Sequence, residues 1–437
     1  MAALLLTSMV WSGHAQEKNE MDLSGEWAFQ TDVMDFRRGS LDVRYCHRLQ
    51  ESIVLPGITD DYKIGYKSPY RHLDRLTRVY EYMGPAWYQR EIEIPAAWKG
   101  KRIFLYFERT HWLSSVYVGK EEVSKIDYIS IPHNHELTQW LHPGKKELIT
   151  FCIDNRYQYD THKWDHAHSE FTQINWNGVL GEIKLVAVDP VYVDDMQVYP
   201  DIKNKSIKVK MTVRNCTEHT ASGKISFHVS GKDYRLQKEV PVTVTDSITY
   251  IEEEMFLSKD IHLWNEFHPN LYTLDCKLTS SVEGQSYAHE KSTTFGMREV
   301  EAGEDHIILN GEPIHLRGTV ENAVFPKTGY APVDDASWER VLRILKEYGM
   351  NHMRFHSWCP PAAAFRMADK LGVYLEVEMP MWGKDAQPDE KRWNFFRREL
   401  RGILKEYGNH PSFILYCNGN EITGDFSFIE EITSPPP

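Results

Sequence analysis

After its N-terminus the sequence has no apolar run approaching the ~20 residues that a membrane span requires, so a spanning protein is not expected. A basic block is also missing. The 63 acidic side chains outnumber the 50 Lys and Arg and are spread along all 437 residues, giving a formal charge of −13. Phosphate binding needs concentrated positive surface, so nucleic acid is not an expected partner. Cysteine is sparse and scattered: Cys46, Cys152, Cys216, Cys276, Cys359 and Cys417. That spacing excludes a dense disulfide framework and a close-spaced zinc site, and it reads as buried free thiols, with a single disulfide left open. No cysteine directly follows the first apolar run, so no lipid anchor is indicated.

Aromatic residues are abundant, with 13 Trp and 23 Tyr. They supply core, and they also supply the flat apolar faces on which sugar rings stack. Residues 1–15 carry Leu4-Leu5-Leu6 and end in Gly13-His14-Ala15, which reads as a signal peptide although it lacks a positively charged start. The expected location is secreted or periplasmic.

Three stretches differ in pattern. Residues 21–189 alternate apolar and polar side chains over short runs, such as Ile103–Phe107 and Leu148–Ile153, separated by turn signals such as Pro143-Gly144. That pattern predicts a β-sandwich. Residues 190–297 are again strand-like, as in Ile207-Val209-Met211-Val213, and their length suits an immunoglobulin-like sandwich acting as a spacer. In residues 298–437 short strands (314–317, 351–356, 373–378 and 413–418) alternate with helical periodicities (338–348, 362–370 and 390–407), which predicts βα units on a parallel sheet.

Side-chain parity places the chemistry. Met353 and Phe355 oppose His352, Arg354 and His356; Leu375 and Val377 oppose Tyr374, Glu376 and Glu378. The polar faces point inward, toward the C-terminal mouth where such a barrel carries its site, and the last strand delivers Asn418, Asn420 and Glu421 to the same end. Glycoside cleavage needs a proton donor and a second carboxylate, and a strand-end Glu beside an Asn fits the donor. His133, His135, His162, His166 and His168 form His-x-His pairs without an accompanying acid set, and they read as a solvent-facing loop rather than a metal site.

The segment Gly408-Asn409-His410-Pro411-Ser412 through Asn418-Gly419-Asn420-Glu421 resembles the acid/base motif of glycoside hydrolase family 2, the β-galactosidases, β-glucuronidases and β-mannosidases. Leu23-Ser24-Gly25-Glu26-Trp27, Ala86-Trp87-Tyr88-Gln89-Arg90, Asn175-Trp176-Asn177-Gly178, Leu263-Trp264 and Asn310-Gly311 extend the resemblance along nearly the whole chain. It implies a jelly-roll-like sugar-binding-like sandwich, an immunoglobulin-like sandwich and the first half of a (β/α)8 TIM barrel. The activity implied is retaining hydrolysis of β-linked, β-galactosidase-like substrates. Glu421 would be the general acid/base and Asn420 its substrate-orienting neighbour, while Arg354 would support the nucleophile. His356, Trp358, Glu378 and Trp382 are candidate substrate contacts, with His166 or His168 as weaker ones. Phe355-His356-Ser357-Trp358 departs from the Ser-His-Tyr-Pro of familiar β-galactosidases.

The family nucleophile is a Glu at the end of the seventh barrel strand. The expectation is therefore a chain without its nucleophile, truncated within the barrel and weakly active or inactive alone. Two other readings stand beside it: a non-catalytic carbohydrate-binding protein, and a half-barrel interaction module completed by a partner chain. No cofactor is implied, a divalent or monovalent metal stays open, and the expected partner is a carbohydrate, with oligomerisation open.

Overall fold

The computed structural model describes residues 19–34, 49–119, 121–172, 174–383, 389–424 and 426–434. The signal-peptide reading of residues 1–15 and Cys46 lie outside them. The other five cysteines are free thiols. Among the described residues no helix is long and apolar enough to cross a membrane.

The N-terminal part packs two antiparallel sheets face to face. One runs in the order Glu121–Ile126, Leu113–Val118, Lys146–Asp154, Pro85–Glu93, Gly25–Thr31, Glu51–Leu55; the other runs Glu20–Asp22, Gly178–Val188, Arg102–Thr110, His133–Glu136. Alternation sends Trp27, Tyr88, Phe107 and Phe151 into the space between. Phe151 sits at the centre, with ring centroids 4.8 Å from Tyr88, 4.8 Å from Phe107 and 5.0 Å from Trp27. A second sandwich pairs a three-stranded sheet (Val191–Asp201, Ser206–Asn215, Ile248–Phe256) with a four-stranded one (Tyr234–Val244, Ala221–Gly231, Tyr272–Val282, Gln285–Phe295).

A four-stranded parallel sheet follows: β1 (Gly318–Glu321), β2 (His352–Phe355), β3 (Tyr374–Glu378) and β4 (Phe413–Cys417), paired in that order. The helices are α1 (Asp335–Glu347), α2 (Ala362–Leu371), α3 (Glu390–Tyr407) and α4 (Ser427–Thr433). The α1 N-terminus is capped by the Asp334 carboxylate, which accepts from the Ser337 amide at 2.8 Å, and α3 by Asp389 in the same way. Such caps stabilise a helix by about 1 kcal/mol.

The expected strand at 314–317 is displaced. Ile314 instead belongs to a small antiparallel sheet of Val300–Ala302, Ile307–Leu309 and Glu312–Ile314. Asn310 and Gly311, both at positive φ (57° and 83°), close its last hairpin, and the parallel strand starts only at Gly318.

The histidine pairs are not in a solvent-facing loop. His133 and His135 lie on a strand, fully buried, and share the Ser114 hydroxyl, with Oγ 2.6 Å from His133 Nδ1 and 2.8 Å from His135 Nε2. Two residues apart on a strand, they share its inward face. His166 and His168 are buried because their segment lies across the rim of the parallel sheet.

Burial keeps several of these rings uncharged. It lowers His111 to about 3, His133 to about 4 and His289 to about 4. It has the opposite effect on buried acids, raising Asp165 to about 8 and Glu399 to about 7. The two sets predict a maximum in stability. From about pH 4 to 6.5 the unfolded chain holds imidazole protons that the folded chain does not, so stability rises with pH. From about pH 4 to 8 the folded chain holds carboxyl protons that the unfolded chain has lost, so this contribution falls. Imidazoles dominate the lower range and only the acids titrate above it. Urea midpoints are expected to peak near pH ~6–6.5 and fall toward pH 8, with Asp165→Asn flattening the alkaline fall. Midpoints that climb steadily through pH 8 contradict the assignment.

Candidate active site

The inner faces of β2 and β3 meet at their C-terminal ends. Arg354 Nε and Nη2 both lie 2.5 Å from Glu378 Oε1, and Arg354 Nη2 also donates to Asn420 Oδ1 at 3.0 Å. The other Glu378 oxygen accepts the Ser357 amide at 2.6 Å, and Glu378 has no exposed surface. Glu376 Oε1 is 3.6 Å from Arg354 Nε. One guanidinium therefore neutralises a buried carboxylate and fixes the side chain of Asn420. These are short, charge-assisted bonds whose geometry only arginine supplies.

Beyond β4 the chain turns sharply. Gly419 has φ 132°, and a Cβ there would lie 2.4 Å from the Met381 carbonyl oxygen, so only glycine lets the two segments approach. Asn420 N then donates to Met381 O at 2.9 Å, and Gly383 N to Asn420 O at 2.8 Å, lacing the β3 and β4 ends together. Glu421 follows at φ 50°, a left-handed conformation that non-glycine residues adopt at a cost and that recurs at functional sites. Its carboxylate is exposed, and Oε2 accepts the Trp382 indole N–H at 3.0 Å.

An aromatic wall completes the rim. The His356 and Trp382 rings are 4.5 Å apart, and His166, from the first sandwich, lies 4.8 Å from His356 and 5.4 Å from Trp382. His166 Nδ1 is 2.7 Å from the Asn322 carbonyl oxygen, which requires Nδ1–H and leaves Nε2 as an acceptor. Burial, aided by His356, lowers His166 to about 3, and burial also lowers His356, so both present neutral rings at neutral pH.

Arg354, Glu378, Asn420, Glu421, His356 and Trp382 thus converge. Trp358 does not. It is 3 % exposed, packs against Phe355 and Phe325, and donates its indole N–H to Glu321 O at 3.1 Å. The expected substrate contact is a core residue because the chain reverses at Ser357, which has φ 53°. Ser357 carried no signal in the sequence, yet its amide holds Glu378 and its Oγ accepts the His166 amide at 3.1 Å. Glu321, at the end of β1, was also missed; burial raises its carboxyl to about 7. Among the described residues, Glu376, Glu378 and Cys417 have donor atoms within 4.8 Å of one another, close enough to share a metal ion. The Arg354 guanidinium lies beside the same two acids, 2.5 Å from Glu378 and 3.6 Å from Glu376.

The family profile described as "Glycosyl hydrolases family 2" matches residues 191–298. A β-galactosidase of Thermoanaerobacter pseudethanolicus is 23% identical over 356 residues, covering 80% of this chain and 47% of that protein. A β-glucuronidase of Sus scrofa is 21% identical over 467 residues, covering 98% of this chain and 67% of that protein. In fold the chain resembles the β-glucuronidase from Ruminococcus gnavus, with TM-score 0.73, 19% identity, and 95% of this chain and 70% of that one covered. The chain spans about half the length of the first of these relatives. The relatives are glycosidases, hydrolases acting on glycosyl bonds. By this profile match over residues 191–298, these relatives and this fold, the chain is similar to the members of glycosyl hydrolase family 2.

Proposed function

We propose that this chain carries the acid/base side of a retaining β-glycosidase site, with Glu421 as the proton donor to the leaving oxygen and then the base that activates water. The observation that carries this is Glu421 itself. It is an exposed carboxylate at a parallel-strand end, in a left-handed conformation, oriented by the Trp382 N–H, beside an Asn420 amide locked by Arg354. On this reading β1–β4 are the first half of a (β/α)8 barrel. Asn420 bonds a sugar hydroxyl, and His356, His166 and Trp382 wall the glycone. Glu378 is not the nucleophile, because both its oxygens are engaged and it has no exposed surface. A retaining mechanism also needs a second carboxylate, and this reading assigns that role to none of the residues named here.

The relatives are named for β-galactose and β-glucuronic acid, and a β-linked pyranoside is what the two share. The test compares 4-nitrophenyl β-D-galactoside with the β-D-glucuronide, for the chain and for Glu421→Gln, with calorimetric binding of the corresponding sugar lactams as a second readout. Turnover that is unchanged in Glu421→Gln, or lactam binding indifferent to Trp382→Ala, overturns the assignment.

A further inference from the structure

From Trp382 a strip of aromatic and basic side chains runs outward over the first sandwich. Trp164 lies 5.9 Å from Trp382, ring to ring, and is 45% exposed. Lys163 Nζ stands 5.1 Å from the Trp164 ring centre and 5.9 Å from that of Phe171, which is 41% exposed. The Arg75 guanidinium carbon stands 5.1 Å from the other end of the strip, over Phe171. Neither Lys163 nor Arg75 forms an ion pair among the described residues, although the chain carries a net charge of −13. Two unneutralised cations beside exposed rings on an acidic protein form a local site for an anion.

The strip is built in advance. Thr161 Oγ1 donates to Asp165 Oδ2 at 2.8 Å, the His168 amide donates to Asp165 Oδ1 at 2.8 Å, and the Ser169 hydroxyl donates to the Lys163 carbonyl. Burial holds the Asp165 carboxyl at about 8, so at neutral pH it adds little negative charge beneath the cations. We propose that Trp164, Lys163, Phe171 and Arg75 form an aglycone subsite for the carboxylate-bearing sugar next to the scissile bond, so that the natural substrate is an acidic oligosaccharide. Lys163 offers a point charge and Arg75 a planar fork matched to a carboxylate, and the Trp164 and Phe171 rings beside them hold the cations in place and add apolar surface for the sugar. This deepens the glycosidase reading and rests on it for the word aglycone.

The test titrates the whole chain with trigalacturonate and with its methyl ester, which removes the negative charges from the same sugar backbone, by calorimetry and tryptophan fluorescence. The acid is expected to bind about tenfold more tightly than the ester, and the preference to collapse in ~0.5 M salt. Lys163→Glu is expected to abolish the preference, and Trp164→Ala to weaken both ligands; both positions are exposed, and circular dichroism verifies folding. Equal affinity for acid and ester, or a preference that survives Lys163→Glu and Arg75→Glu, overturns the subsite. If Glu421→Gln lowers turnover while the preference is absent, only the subsite fails. If the preference holds while turnover ignores Glu421, the catalytic reading fails and the anion site stands.

Discussion

Glu421→Gln is expected to lower kcat/KM for an aryl β-glycoside with a poor leaving group by about 10²–10⁴-fold, measured on this chain or on a longer polypeptide containing it. The size follows from where the proton is needed. A phenolate of high pKa cannot depart without it, whereas 2,4-dinitrophenolate can, so the same variant is expected to cleave a dinitrophenyl glycoside with far less loss in the first step. Gln keeps an oxygen to accept the Trp382 N–H and keeps the backbone at φ 50°, so the substitution removes the transferable proton and little else. An equal loss for both leaving groups points to distorted binding and contradicts the acid/base role.

Much of this site could be read locally. A two-residue alternation in β2 and β3 was enough to turn Arg354, Glu376 and Glu378 to one face, and the bounds of α3 agree with its periodicity from Glu390 to Tyr407. Where the reading failed, the deciding partner lay far away in sequence or the signal was a turn. His133 and His135 read as loop residues because Ser114, which accommodates both rings, is 19 and 21 positions distant. Trp358 and Trp382 both follow strand ends and are indistinguishable as letters. The Glu321 carbonyl and two phenylalanine rings take the first into the core, while the lacing of Met381 and Gly383 to Asn420 brings the second to Glu421. His166 reaches the rim through Asn322 and Ser357, 156 and 191 residues away, contacts that no local pattern encodes. The start of β1 slipped because the Asn310-Gly311 hairpin absorbed an apolar run that alternation alone assigns to a parallel strand.

Arg354→Leu is expected to destabilise the fold by about 3–5 kcal/mol, the cost of leaving a buried carboxylate without its partner. Glu378 has no exposed surface, and among the described residues the other bond to its carboxylate comes from the Ser357 amide. Arg354 is different, since 30% of its side chain reaches solvent. The two single variants should therefore be unequal. Glu378→Gln removes a charge and leaves a solvated guanidinium, so its cost should be smaller, and Arg354→Leu combined with Glu378→Gln should recover a substantial part of the loss. Urea unfolding of the four proteins measures the coupling, and a combined loss equal to the sum of the single losses contradicts the pairing. The same set separates stability from function. Asn420 loses its Arg354 bond in both Arg354 variants, so the combined variant should fold better than Arg354→Leu yet bind sugar lactams no better. Recovered binding would mean that Asn420 is held by its backbone bonds to Met381 and Gly383 alone, and that Arg354 serves only to neutralise Glu378.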